Sequence, residues 1–299
     1  LAVRATELMR ILLTGATGFI GRALIPALAE HELWCLVRRS PAAGELGHGR
    51  PLRRVADLPA PVDAVINLAG ENIGARRWSR PRKQALRTSR IDLTRTLVED
   101  LRHGGQEPAL WINASAVGYY GDRPGERLDE NAPGGTGFAA RLCQDWEHVA
   151  LSADAKRHLL LRLGVVLGPG GMLAQLRWPF RLGAGVIMGP GDQHLPWIAR
   201  EDVVGAIVTA LSDERYAGTI NLVAPQRATQ RAFSRALADA LNRPLFFRLP
   251  AGLVGLLMGE MSELVLADQA VDCQGLRNLA YPFAHPELRT ALSTALSAF

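Results

Sequence analysis

The chain has 299 residues, of which 48% are hydrophobic and 21% charged, a composition typical of a folded globular protein and not of a disordered one. The net charge of +5 comes from scattered arginines that are not interleaved with aromatic residues, so we expect no nucleic-acid partner. Three distant cysteines and seven histidines without ligand spacing predict no disulfide, no metal site and a reducing, cytoplasmic compartment. The most apolar run, at 251–258, is far too short to span a bilayer, and we expect no membrane partner.

Short apolar runs alternate with helical patterns over the first two thirds of the chain. Residues 1–8, which lack the hydrophobic core of a signal peptide, are left out of the fold prediction because Met9 directly precedes the first run. Six runs have the composition of parallel strands that are covered on both faces, at 11–14, 33–37, 52–55, 64–68, 110–114 and 159–166. This βαβ rhythm predicts an α/β fold, a doubly wound parallel sheet of the Rossmann type.

Three helices are predicted between these strands. The first follows the first strand and contains Pro26, which predicts a kink or a distorted turn. A long helix begins near Pro81, with Ser79 as a possible cap, and stops at Gly104. The third lies at 136–147 and follows the fifth strand.

The composition changes after Gly168, where the chain becomes rich in glycine and proline. A helix at 202–211 and a strand at 219–223 are expected to return to the sheet, and a helix at 229–241 is expected to be capped by Thr229. The predicted domains are a nucleotide-binding domain, 9–168 plus 202–224, and a smaller, mainly helical lobe on the substrate side, 169–201 plus 225–299.

The stretch TGATGFIG contains three glycines directly after the first strand and at the start of a helix. Gly15 allows the tight turn, Gly18 lets the backbone approach a diphosphate, and Gly21 lets the helix pack closely on the strand. We therefore expect this turn to bind a dinucleotide, with contacts that also include Thr17, Phe19 and Ile20.

The second predicted strand ends in CLVRRS. A site for NAD would place a carboxylate there to bind the ribose hydroxyls, but this chain has Arg38 and Arg39. Guanidinium groups suit a 2′-phosphate, so we expect NADP (NADPH) in preference to NAD. The alternative is that both are surface arginines of a loop.

Seven blocks in order along the chain resemble the short-chain dehydrogenase/reductase superfamily, in its atypical extended branch known as the NAD(P)-dependent epimerase family. They are TGATGFIG, VINLAGENI (65–73), RRW (76–78), SRI (89–91), ASAVGYYGD (114–122), LRLGVVLGPGG (161–171) and PWI with the following ED (196–202). The segment LNRPLFFRLPAGLVGLLMGEMSELVLADQ resembles the C-terminal domain of that branch. The likeness extends from Met9 to about residue 296.

The resemblance assigns roles to further residues. It implies cofactor contacts for Asp57, Leu68, Ala69, Gly70, Arg90, Ser115 and Leu163. A solvent-exposed helix face is an equal alternative for Arg90. Ser115 matches the active-site Ser/Thr of the superfamily, and Tyr119 or Tyr120 could donate a proton to a substrate oxygen. Tyrosines that merely pack under a loop are the competing interpretation.

The chain departs from the superfamily at the catalytic helix. The usual Tyr-x-x-x-Lys falls on Phe138 and Leu142, or one residue later on Ala139 and Cys143, and neither frame supplies a phenol or an ammonium group. Ala199 also stands where relatives often have histidine. Glu71 and Asn72 could either act near the pocket or hydrogen-bond the backbone of their loop.

Two functions remain open from the sequence. The first is an NADP(H)-dependent oxidoreductase or epimerase acting on an unknown small molecule, with Ser115, Tyr119 and Tyr120 as candidate catalytic residues. The second is a non-catalytic NADP(H)-binding sensor or partner-binding protein. We expect a monomer or a homodimer in either case.

Overall fold

Seven parallel strands form the central sheet of the computed structural model, which describes residues 8–299. Residues 1–7, most of the segment that was left out of the fold prediction, lie outside the described residues. The described residues contain these seven strands and six more, which pair in three small sheets. In chain order they are β1 (Arg10–Thr14), β2 (Glu32–Leu36), β3 (Arg50–Leu52), β4 (Ala64–Asn67), β5 (Leu110–Ala116), β6 (Arg127–Leu128), β7 (Arg157–Leu163), β8 (Val165–Leu167), β9 (Val186–Met188), β10 (Trp197–Ala199), β11 (Gly218–Leu222), β12 (Phe247–Leu249) and β13 (Ala270–Val271).

Eleven α-helices accompany these strands in the described residues. They are α1 (Phe19–Ala27), α2 (Arg80–Arg87), α3 (Leu93–His103), α4 (Phe138–Ala150), α5 (Gly171–Arg181), α6 (Arg200–Ser212), α7 (Gln230–Ala240), α8 (Ala251–Met258), α9 (Glu263–Leu266), α10 (Gln274–Asn278) and α11 (Leu288–Ser297). Within residues 8–299 no helix is both long and apolar enough to cross a membrane.

The order of the central sheet is β11-β7-β5-β4-β1-β2-β3, with every pair parallel. Ile11, Leu12 and Leu13 are fully buried, as expected of a strand that is covered by helices on both faces. The strand order reverses between β1 and β4. In open α/β sheets, ligands bind at the carboxyl ends of the strands at such a reversal. The fold alone therefore indicates a ligand site at the carboxyl ends of β1 and β4.

The predicted strands are present, with two corrections. The run 159–166 is not one strand, because the chain leaves the central sheet at Gly164 and continues as β8, which pairs with β10. A side chain at Gly164 would lie 2.9 Å from the carbonyl oxygen of Pro196, and glycine alone permits this close crossing. The run 52–55 is divided as well, since Val55 already begins a short 3₁₀ turn.

The long predicted helix consists of α2 and α3 joined by a π-helical turn at Thr88–Asp92. The Ser79 side chain accepts a hydrogen bond from the Arg82 amide, and Thr229 accepts one from the Ala232 amide, so both predicted caps are confirmed. Pro26 lies one residue before the end of α1, so the hydrogen bond that its missing N–H removes belongs to the last turn of the helix.

The central sheet and the C-terminal helices pack around two different hydrophobic clusters. One lies between the sheet and its flanking helices and includes Leu13, Ile66 and Ile112. Another packs Trp197, Phe233 and Leu292 with neighbours from α5, α7 and α11. The exact division into domains at 168, 202 and 225 stays a prediction.

Candidate functional site

The glycine turn after β1 packs directly onto the end of β4. Gly15 has a φ of +73°, and a Cβ there would lie 2.6 Å from the carbonyl oxygen of Leu68. The Gly18 amide closes the turn onto the Gly15 carbonyl at 2.9 Å, and α1 begins at the next residue, Phe19. The amides at the start of α1, together with its dipole, create a position for a negatively charged group. Thr17 and Ile20 lie half-buried in the same turn.

Arg38 and Arg39, beyond the end of β2, have different surroundings although both are exposed. The Arg39 Nη2 donates to Glu45 Oε1 at 2.7 Å, and Arg22 donates to the same oxygen at 3.0 Å. Hydrogen bonding and charge from Arg39 lower the pKa of Glu45 to about 2. The Arg38 guanidinium has no hydrogen bond or ion pair to any described residue.

Arg53 extends this positively charged surface and was not identified from the sequence. It donates to the Arg38 carbonyl oxygen and, at 3.0 Å, to the Ser40 hydroxyl, so it holds the backbone of the Arg38 loop. Its position after β3 gave no signal in the sequence, because adjacency of β2 and β3 is a property of the fold. Asp57 follows on the same side of the sheet and pairs with Arg54 at 2.7 Å, which lowers the pKa of its carboxyl group.

Leu68, Ala69 and Gly70 leave the end of β4 next to the glycine turn. The Ala69 amide donates to the Thr14 hydroxyl at 3.2 Å, which ties this exit to β1. A Cβ on Gly70 would lie 3.0 Å from the guanidinium carbon of Arg90. Arg90, which lies in the π-helical turn, therefore faces the strand ends and not open solvent.

The Arg90 guanidinium is half-buried and carries no carboxylate partner among the described residues. Its Nη2 donates to the Glu71 carbonyl oxygen at 2.9 Å, and its plane lies 5.3 Å from the ring centre of Trp146. Burial lowers the pKa of Arg90, as expected of a cation that is withdrawn from water. These contacts favour the cofactor-facing interpretation over a solvated helix face.

A layer of buried polar side chains, which was not predicted from the sequence, lies beneath the strand ends. Asn67, which is fully buried, donates to Thr94 at 2.8 Å and to Asn113 at 2.6 Å, and it accepts from Thr14 at 2.6 Å. Trp146 also donates to Thr94, at 2.9 Å. Asparagine inside an apolar strand was the available signal, because a buried amide requires partners.

Ser115 is buried at the end of β5, and its hydroxyl donates to Glu147 Oε1 at 2.6 Å. Arg162 binds the same carboxylate with two nitrogens, at 2.9 and 2.8 Å. Only 7% of the Glu147 side chain and 5% of the Arg162 side chain are exposed. The hydroxyl hydrogen of Ser115 is thus committed to a fixed, ion-paired carboxylate.

Tyr119 and Tyr120 occupy different environments. Tyr120 is fully buried, donates to Asn221 at 2.7 Å and accepts from Arg162 at 3.0 Å. Burial raises the pKa of Tyr120, so its phenol is a poorer acid than a free one. Tyr119 is half-buried, with the Arg162 guanidinium 3.4 Å from its ring centre and with no hydrogen bond from its hydroxyl to a described residue. Of the three candidate catalytic residues, Tyr119 alone keeps an uncommitted hydroxyl.

Both frames of the missing Tyr-x-x-x-Lys pair are apolar in the structure. Ala139 and Cys143 face the turn after β5, where a Cβ on Gly118 would lie 3.4 Å from Ala139 Cβ and 3.9 Å from Cys143 Sγ. Burial raises the pKa of Cys143 to about 11, so its thiol remains protonated near neutral pH. Phe138 packs edge-on against Trp78 at 4.9 Å, and Leu142 is buried beside them.

Acidic residues of the C-terminal segment close over the start of α4. Glu263 accepts a hydrogen bond from the Ala139 amide at 2.8 Å, and Glu260 forms an ion pair with Lys83, whose Nζ lies 5.0 Å above the Phe138 ring. Glu71 is ion-paired with Arg82, and Asn72 accepts from the Gly74 amide at 2.9 Å. Asn72 thus fits the loop-forming alternative.

Leu163 ends β7 opposite Ala116 of β5, so the last residues of these strands lie side by side at the carboxyl edge. The structure therefore brings the glycine turn, the exit of β4, Arg90, Ser115, Tyr119 and Leu163 to one edge of the sheet. Arg38, Arg39 and Asp57 lie along the same edge, beyond β2 and β3. No group of three or more possible metal ligands exists among the described residues.

Comparison with known proteins agrees with this architecture. A family model described as NAD dependent epimerase/dehydratase family matches residues 11–222, and a second, for the domain of unknown function DUF1731, matches residues 249–295. A protein of Mycobacterium bovis, epimerase family protein Mb2239, is 40% identical over 294 residues, which is 95% of this chain and 97% of that protein. The human epimerase family protein SDR39U1 is 37% identical over 292 residues, 95% of this chain and 98% of that protein.

A crystal structure of human SDR39U1 with NADPH superposes with a TM-score of 0.88 at 34% identity, covering 97% of this chain and all of that chain. The relatives, the family models and the sheet order agree with one another. The chain belongs to the NAD dependent epimerase/dehydratase family and carries the DUF1731 domain of its branch at the C-terminal side.

Proposed function

We propose that this chain binds NADPH at the carboxyl edge of the sheet and acts with it as an oxidoreductase or epimerase on a small molecule. One observation carries the proposal: the glycine turn packs on the exit of β4 so closely that a side chain at Gly15 would overlap the Leu68 backbone. That packing leaves the amides at the start of α1 facing the crevice where dinucleotides bind. The human relative whose crystal structure contains NADPH supports the choice of cofactor.

The residues present fit this cofactor. The amides at Phe19 and Ile20 would hold the diphosphate, because the N-terminus of a helix attracts negative charge, and Gly18 would let the backbone approach it closely. Arg38, whose guanidinium is free of partners in the described chain, would bind the 2′-phosphate. Leu68 and Ala69 would line the ribose and nicotinamide side.

Bound NADPH would supply hydride transfer, and the protein would have to position it and manage a proton. Arg90 places a cation near Cys143, one of the two positions on which the superfamily's lysine could fall, and so would take over contacts to the ribose. Ser115, held by Glu147, presents a fixed oxygen at the end of β5. Tyr119 is the phenol we assign to proton transfer, because its hydroxyl is uncommitted.

The hydrogen bonds of the Ser115 and Tyr120 hydroxyls favour a second candidate function. Because Ser115 and Tyr120 both hydrogen-bond inside a buried network, the site also suits a protein that binds NADP(H) without turning it over. Such a protein would report the NADPH level through a change in affinity for a partner.

The binding assignment is tested by replacing Arg38 with alanine and titrating NADPH and NADH by fluorescence. We expect NADPH affinity to fall by about tenfold to a hundredfold, because an ionic hydrogen bond contributes roughly 1.5–3 kcal/mol. NADH affinity should stay unchanged. Arg95→Ala, an exposed arginine of α3 paired with Asp92, is the matched control. An equal loss for both cofactors would show that Arg38 does not bind the 2′-phosphate.

Turnover requires a separate experiment. The protein loaded with NADPH is presented with a panel of carbonyl compounds and nucleotide sugars, and NADPH oxidation or epimerised product is measured. Tyr119→Phe should lower any turnover found by about a hundredfold or more while leaving NADPH affinity unchanged. Tight NADPH binding without turnover on the whole panel would favour the sensor.

A further inference from the structure

Large hydrophobic side chains are exposed on one part of the C-terminal lobe. Ten such side chains are exposed in the described residues, and all except Leu8 and Leu151 come from this part. The eight, with exposures between 44% and 80%, are Trp178, Leu182, Phe246, Phe247, Leu253, Leu256, Leu257 and Phe299. Contiguous exposed apolar surface on this scale marks an interaction site.

Two segments carry most of these side chains, and the structure joins them. The segment at 177–188 includes the end of α5 and β9, and the segment at 243–257 includes β12 and α8. Val186 of β9 pairs with Phe247 of β12, and Arg243 donates to the Arg181 carbonyl oxygen at 2.7 Å. Arg177 lies 4.4 Å from the ring centre of Phe299, which brings the C-terminal residue to the same surface.

The charged side chains within the two segments have one sign. Residues 168–191 and 240–259 contain the four arginines Arg177, Arg181, Arg243 and Arg248 and no aspartate or glutamate. None of the four forms an ion pair with a carboxylate of the described chain. Arg177 and Arg181 instead lie 5.3 and 5.4 Å from the ring centre of Trp178, so cations and aromatic rings alternate on the surface.

We propose that this surface, the basic apolar patch, docks onto anionic lipid headgroups at a membrane surface. Tryptophan, phenylalanine and leucine side chains enter the boundary between headgroups and acyl chains, while arginines keep their charged ends among phosphates. A second copy of the chain fits the patch less well. Two-fold pairing would bring the four arginines of one copy toward those of the other, and these segments contain no aspartate or glutamate to compensate them.

The position of the patch gives the docking a consequence. Helix α8 leads directly into the turn Gly259–Ser262, in which Met261 packs with Trp78 and Glu260 pairs with Lys83. Those contacts lie over the start of α4, at the candidate site. A chain bound through the patch therefore holds that site close to the lipid surface. This peripheral contact differs from the expectation of no membrane partner, which rested on the absence of a spanning run.

Flotation of the purified full chain with vesicles tests the proposal at physiological salt. We expect it to float with phosphatidylcholine vesicles that contain about one third phosphatidylserine and not with phosphatidylcholine alone. Leu256→Ser/Leu257→Ser and, separately, Arg181→Gln/Arg243→Gln should each weaken binding about tenfold or more. All four side chains are exposed, so both variants should fold, which circular dichroism and NADPH binding verify.

Matched controls separate the patch from general charge and hydrophobicity. Leu151→Ser, an exposed leucine after α4, and Arg289→Gln, an arginine with 82% of its side chain exposed, should float like the original protein. Equal binding of patch variants and controls would overturn the proposal, and so would failure to bind anionic vesicles. If Leu256→Ser/Leu257→Ser abolishes a concentration-dependent dimer in ultracentrifugation while no vesicle binding occurs, the occupant is a second copy.

Discussion

Glu45 forms an ion pair with Arg39, which could otherwise bind a 2′-phosphate. Its carboxylate accepts from Arg39 and Arg22, and with a pKa of about 2 it remains ionised at every pH near neutrality. Glu45→Gln removes the charge but keeps a similar shape. We expect NADPH affinity to rise about two- to fivefold, because Arg39 is exposed to water and its pair with Glu45 is therefore weak. NADH affinity should not change.

Fluorescence titration measures this effect, and Glu126→Gln is the control because Glu126 also forms an ion pair with an arginine, Arg123. Glu45 also accepts from the Ala42 amide at 2.9 Å and could hold its loop in place. A decrease in NADPH affinity for Glu45→Gln would show that loop ordering outweighs the competition.

Single residues of the site were predictable where a role follows from position along the chain. Arg38 became a candidate because a residue directly after the second strand meets the ribose in this kind of fold. Glu45, Arg53 and Arg22 were not found, since the first two reach the same place from separate loops and the third from a helix. Exposed charges separated by many residues carry no periodic pattern, and their pairing appears only when the chain is folded.

Helix α4 is connected to β7 by the buried ion pair that Glu147 forms with Arg162. Because both side chains are almost fully buried, removing Glu147 leaves an uncompensated guanidinium and an unpaired Ser115 hydroxyl. Glu147→Ala should reduce the free energy of unfolding by about 3 kcal/mol or more, measured by urea denaturation. Asp145→Ala, on the same helix, removes an exposed partner of Arg87 and should cost less than about 1 kcal/mol. Similar losses for the two variants would contradict this account.

Elements were predictable from periodicity, and their interruptions were not. The pattern at 136–147 gave α4 because apolar residues recur at helical spacing, and Ser79 and Thr229 marked helix starts through their side chains. The apolar run at 159–166 is continuous, so nothing in it showed that the chain changes sheets at Gly164. Likewise, no pattern predicted the π-helical turn at Thr88–Asp92, in which Arg90 packs against Trp146 of α4.

At the scale of the molecule, Asp272 joins three segments that are distant along the chain. Its carboxylate, only 2% exposed, meets Arg127 of β6, Arg227 of the loop after β11 and Arg277 of α10. Burial by itself would raise the pKa of Asp272, but the hydrogen bonds from Arg127 and the three positive charges outweigh it and lower the pKa. Asp272 is therefore ionised in the folded protein at lower pH than in the unfolded chain.

Because the folded pKa lies below the unfolded value of about 3.9, the carboxylate contributes its full stability above that value and loses it as the pH falls further. Asp272→Asn should lower the free energy of unfolding by about 2 kcal/mol at neutral pH, since the three arginines remain partly hydrated. The difference from the original protein should shrink as urea denaturation is repeated below about pH 4. Asp239→Asn, which removes an exposed partner of Arg289, should change little at any pH. A difference for Asp272→Asn that stays constant with pH would mean that Asp272 stabilises the fold through its shape and not through its charge.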